Sequence, residues 1–76
     1  MTLQKHAIVY IPRHDVWQHL DHFGEEIGLH NKKKQAVDAA RDFAKTRAKA
    51  TGSKVQLTVE NKDGSIGRRH TYGGGY

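Results

Sequence analysis

Residues 54–72 constrain this chain more than any other stretch. Val55, Leu57 and Val59 alternate with Lys54, Gln56, Thr58 and Glu60, the period of a strand with one buried and one wet face. Asn61-Lys62-Asp63-Gly64 offers turn chemistry, and a second alternating run follows up to Tyr72. A hairpin here commits the chain to a sheet. It also puts Arg68, Arg69 and His70 on that sheet's last strand.

The rest of the chain supplies more strands and one helix. Residues 5–11 are β-branched and aromatic and read as a strand, which Pro12-Arg13-His14-Asp15 ends in a turn. Residues 16–23 read as a second strand of ambiguous facing. Trp17, His19, Asp21 and Phe23 would share one side, and neither side is cleanly apolar without a bulge near His19. Gly24 turns the chain and residues 26–30 read as a short third strand. Asn31 is the candidate N-cap. From there Ala36, Val37, Ala40, Phe43, Ala44 and Ala48 recur at helical spacing, and Gly52 is the stop. The expected fold is α+β, a small antiparallel sheet in the order β-β-(β)-α-β-β with one helix on one face. Residues 1–72 form the single domain and residues 73–76, Gly-Gly-Gly-Tyr, a flexible tail.

Composition narrows the function classes. With 76 residues the chain is one domain of marginal size. It has no cysteine, so disulfides and thiolate zinc sites are excluded. No run approaches the roughly 20 apolar residues of a membrane helix, and no signal-like apolar core follows Lys5. These readings point to the cytoplasm and away from membranes. The net charge is +5, and it is lopsided: residues 1–30 sum to −2 and residues 31–76 to +7. Such asymmetry fits a basic face turned toward an acidic partner, and equally an ordinary solvated surface.

The layout resembles a family of short, uncharacterised bacterial and phage proteins, a domain of unknown function. The features that carry the likeness are a hairpin tryptophan (Trp17), lysines at the helix start (Lys33, Lys34), Ala39-Ala40-Arg41, Asp63-Gly64-Ser65-Ile66 and Tyr72-Gly73. They run over about residues 15–73. His19 stands where the family has an apolar residue, and Gln35 where it has an acidic one. The resemblance implies the fold and carries no activity with it.

Three groups of residues could bear chemistry. Lys32, Lys33 and Lys34 occupy a first helical turn, against the macrodipole. Free amides and lysines together suit phosphate or another anion; the plainer reading is a charge run screened by water. Arg68 and His70 share one side of a strand with Ile66 and Tyr72, and Arg69 takes the other. They suit phosphate contact, with Tyr72 able to stack on a base, or a charged edge that resists aggregation. The six histidines match no metal-ligand spacing and read as scattered surface residues, with protonation near pH ~6.5 adding charge. Trp17 reads as packing. No nucleophile with a base and orienter stands out, so the chain is not expected to be an enzyme, and no cofactor is implied.

The expected function is therefore a small basic binding module that contacts nucleic acid through phosphate-directed Lys32, Lys33, Lys34, Arg68 and Arg69, with Arg41, Lys45 and Lys49 auxiliary. The alternative is a protein-interaction module, a phage or mobile-element accessory factor docking on an acidic host protein. A homodimer paired through a sheet edge is compatible with either.

Overall fold

The computed structural model describes residues 3–73. Five strands and one helix follow in the order β1 (Leu3–Ile11), β2 (Val16–Leu20), β3 (Glu26–His30), α1 (Lys33–Thr51), β4 (Lys54–Glu60) and β5 (Ile66–Tyr72). They form one sheet in the order β3-β2-β1-β4-β5, with α1 on one face. The α+β architecture is the one read from the sequence. The sheet is mixed rather than wholly antiparallel, because β1 and β4 pair in parallel at its centre. The reason lies in the connection. After the β1–β2–β3 meander, α1 carries the chain back to pair with β1, and a helical crossover returns a strand in its original direction.

Strand alternation sorts the faces. His6, Ile8 and Tyr10 of β1, Trp17 and His19 of β2, and Val55, Leu57 and Val59 of β4 face the helix. The register shift between β2 and β3 falls between His19 and Leu20. Trp17 and His19, on one side of β2 by simple alternation, both turn inward, 4% exposed each, while Phe23, beyond the bulge and the strand's end, is 84% exposed. The strand also stops at Leu20, three residues short of expectation. Asp21 accepts the amides of Phe23 and Glu25 at 2.9 Å and turns the chain instead.

The helix packs through alanine. Ala36, Ala40, Ala44 and Ala48 recur every fourth residue and are fully buried. Their small side chains let the helix axis lie close over the sheet, where Ile8, Val55, Leu57 and Val59 supply most of the aliphatic burial, each worth roughly 1.5–3 kcal/mol. The N-cap position is Lys32 rather than Asn31, and no side chain caps it. Gly52 ends the helix as expected, left-handed at φ 71 with its amide on the Ala48 carbonyl at 2.9 Å.

Gly73 is held rather than loose. Its φ is 88, and a Cβ there would stand 2.9 Å from the Cβ of Ala48, so the end of β5 abuts the end of α1. The remainder of the expected tail, residues 74–76, lies outside the described residues.

The histidines are not all on the surface. His6 and His19 are buried, 2% and 4% exposed, with His6 Nδ1 3.1 Å from His19 Nε2. Both rings pack against Phe43, at centroid distances of 5.6 and 5.5 Å. One ring donates and the other accepts, which lets two polar rings be buried without an orphan. Burial, then the neighbouring His6 and His30, pushes His19 down to about 4; burial lowers His6 as well, against the pull of Asp21.

Candidate nucleic-acid interface

The helix covers the sheet unevenly. Its packing falls mainly on β4, β2 and β3, and the residues of β5 are exposed up to half-buried Tyr72. Yet β5 presents side chains on the helix side: Arg68 pairs with Val59, His70 with Leu57 and Tyr72 with Val55. Ile66 pairs with Glu60 across a register shift and is 55% exposed, so it does not share the Arg68 side as alternation alone predicts. The result is a trench between α1 and β5. It consists of two adjoining hollows of about 500 and 530 Å³ that share Val37, Arg41, Val59 and Arg68.

The helix wall follows from spacing. Lys33, Val37, Arg41 and Lys45 step every four residues along α1 beside the buried alanine row, and Lys34 joins them at the amino end. Val37, Leu57, Val59 and Tyr72 make an apolar floor. Six cations line the two hollows: Lys33, Lys34, Arg41, Lys45, Arg68 and Arg69. Asp38 is the carboxylate among the described lining residues, and Arg41 bridges it at 3.2 Å. That exposed pair is worth at most about 1 kcal/mol, so it leaves Arg41 available for exchange to another anion.

Not every expected residue arrives here. The three lysines at the helix start diverge. Lys34 enters the trench. Lys33 borders it, but donates from Nζ to Asn61 Oδ1 at 3.0 Å and lies 5.4 Å from the Trp17 ring, a cation–π arrangement that ties it to the fold. Lys32 faces a separate hollow with Asp15, Asn31 and Lys62. Arg69 borders the trench, although it pairs with Thr58 on the opposite side of β5 from Arg68. Lys49 lies beyond the trench, exposed in the last turn of α1.

Two residues that sequence reasoning passed over shape the trench's amino end. A Cβ on Gly67 would stand 2.6 Å from Asn61 Oδ1, the atom that receives Lys33. Glycine at this bulge lets Asn61 reach across and hold the lysine. The signal was present as a glycine inside an alternating strand. Its partner across the hairpin was not legible. Elsewhere, among the described residues, no three His, Asp or Glu side chains gather as a metal site requires, and no helix is long and apolar enough to cross a membrane.

Fold and site together define a small α+β module whose single helix leaves a cation-lined trench beside an edge strand. The chain belongs to the bacterial family described as "Uncharacterized protein conserved in bacteria (DUF2188)", whose model matches residues 6–72. The resemblance read from Trp17, the helix lysines and the carboxyl-terminal hairpin is thereby borne out. No curated protein and no solved structure matches the chain.

Proposed function

We propose that this chain is a small cytoplasmic binding module, rather than an enzyme, that holds nucleic acid by its phosphates in the trench between α1 and β5. One observation carries the reading: six cations from two distant stretches of sequence line one trench, against a single bridged carboxylate among the described residues. Clustered like charges repel one another, and a polyanion relieves that repulsion while releasing its own counterions. Lys34, Arg41, Lys45 and Arg68 are the phosphate contacts; Lys33 contributes field while staying on Asn61.

Fluorescence anisotropy with a labelled oligonucleotide over a salt series tests this. If about four phosphates are neutralised, log K falls against log salt with a slope of about −3. Reversing Lys34, Arg41 and Arg68 to Glu together removes most of that slope. Absence of binding by the natural sequence at low salt refutes the reading. An acidic protein partner is the second reading, favoured by the exposed β5 edge, which carries Arg68 and Arg69 on a seven-residue strand. A partner that resists nuclease treatment and competes with oligonucleotide distinguishes it.

A further inference from the structure

Phosphate contact alone makes no use of the apolar and aromatic groups that border the trench. Leu57 and Val59 beneath it are 3% exposed and belong to the core, so the apolar surface left to solvent is that of half-buried Val37 and Tyr72, between the cations of α1 and Arg68. At its carboxyl-terminal end the rings of His70 and Tyr72 lie 4.4 Å apart, tilted by 59°, on the helix-facing side of β5. His70 is exposed and Tyr72 half-buried, so an aromatic surface reaches the trench from a strand that the helix leaves uncovered.

We infer that the trench takes a single strand of nucleic acid, with a base laid against Tyr72 and His70 and the phosphates along Arg41, Lys45 and Arg68. The inference rests on the phosphate reading above and adds the state of the strand. A duplex offers phosphates and sugars on its outside and keeps its base faces stacked within. It would engage the cationic rim and leave the exposed parts of Val37, His70 and Tyr72 uncovered. An unpaired strand presents faces that an apolar floor and an aromatic ring can cover, and base–aromatic stacking of this kind tolerates any sequence. The helix wall and the sheet floor thus divide the work: charge holds the backbone, and carbon covers the bases.

The test is anisotropy at fixed salt with matched oligonucleotides of about ten nucleotides, a length within single-strand site sizes. The arms are single-stranded DNA, single-stranded RNA, the DNA duplex, an abasic single strand and polyglutamate. The inference expects single strands to bind about tenfold more tightly than duplex or abasic strand. Tyr72→Leu then loses about tenfold toward single strands and little toward the abasic one, and Tyr72→Phe restores binding. Because Tyr72 also touches the core, His70→Ala, at an exposed position, provides a second variant with a smaller loss in the same direction, and Trp17 fluorescence reports that each variant is folded. Equal affinity for duplex, or indifference to Tyr72 and His70 in folded variants, overturns the single-strand inference and leaves the phosphate reading standing. Failure of every nucleic acid to bind at low salt overturns both, as does polyglutamate binding as tightly as the single strands.

Discussion

Two halves of the same sheet face have opposite characters. Beneath α1, β1, β2 and β4 are sealed by four alanines, and even the polar rings of His6 and His19 are paired and dry. Beside α1, the face of β5 bears Arg68, His70 and Tyr72 with little packed over it. One strand position, about 4.8 Å, separates the two regimes. The difference lies in helix placement, because a single helix about 10 Å wide cannot span five strands. The sealed half holds the core together, and the uncovered half leaves Arg68 and His70 exposed beside half-buried Tyr72.

The sealed half tolerates substitution least. Ala40→Leu forces a large side chain into the fully buried alanine row and is expected to cost about 3 kcal/mol or to prevent folding. Val37→Leu, at the half-buried trench edge, is expected to cost less than about 1 kcal/mol. Urea titration followed by Trp17 fluorescence measures both, and equal losses would mean that the two halves are packed alike.

Acid offers a second probe of the sealed half. His19 is held near 4 in the folded protein against 6.5 when exposed, so the unfolded chain binds the proton first as pH falls. Stability is therefore fully present above about pH 6.5 and declines as pH approaches 4, by on the order of 3 kcal/mol. Asp21 is held below its usual 3.8 by the amides of Glu25 and Phe23, so its contribution is lost at lower pH. The double substitution His6→Phe with His19→Leu should flatten the slope between pH 6.5 and 4, and an unchanged slope would remove the histidine pair as its cause.

Gly67→Ala lies at the boundary between the halves. The added methyl meets Asn61 Oδ1, and a cost of about 1 kcal/mol is expected. Asn61→Ala should cancel part of it in a double-mutant cycle, since the two share one contact. Simple additivity would contradict the contact.

Charge reversal in the uncovered half is the smallest stability effect. Arg41→Glu is expected to move the urea midpoint by no more than about 0.5 kcal/mol while weakening oligonucleotide binding severalfold. A loss of stability comparable to Ala40→Leu would make Arg41 a structural residue.

Much of this was legible in the sequence for identifiable reasons. Val55, Leu57 and Val59 alternate cleanly because β4 is buried on one face only, and the alanine row repeats every fourth residue because it meets a flat sheet. Gly52 marked its own helix end. The parallel pairing of β1 with β4 was not legible, since strand order follows from where the helix lays the chain down, and no local pattern encodes that. His19 shares the side of Trp17 by alternation, but no local pattern shows that a polar ring finds a buried partner in His6, so a buried imidazole pair read as surface residues. At the site, Lys34, Arg41, Lys45 and Arg68 were singled out as separate charges. Their convergence depends on α1 leaving most of β5 exposed, which is a property of the packing. Lys32 was selected for its place at the helix start and Lys49 for its charge on the helix, and both lie away from the trench.

The most direct measurement is a two-dimensional amide NMR titration of the protein with a short single-stranded oligonucleotide. Shifts are expected to concentrate at Lys34, Val37, Arg41, Arg68, His70 and Tyr72, on both walls of the trench, and to spare Lys5, Gln18 and Leu29 on the opposite sheet face. Shifts confined to that opposite face, or none at low salt, would contradict it.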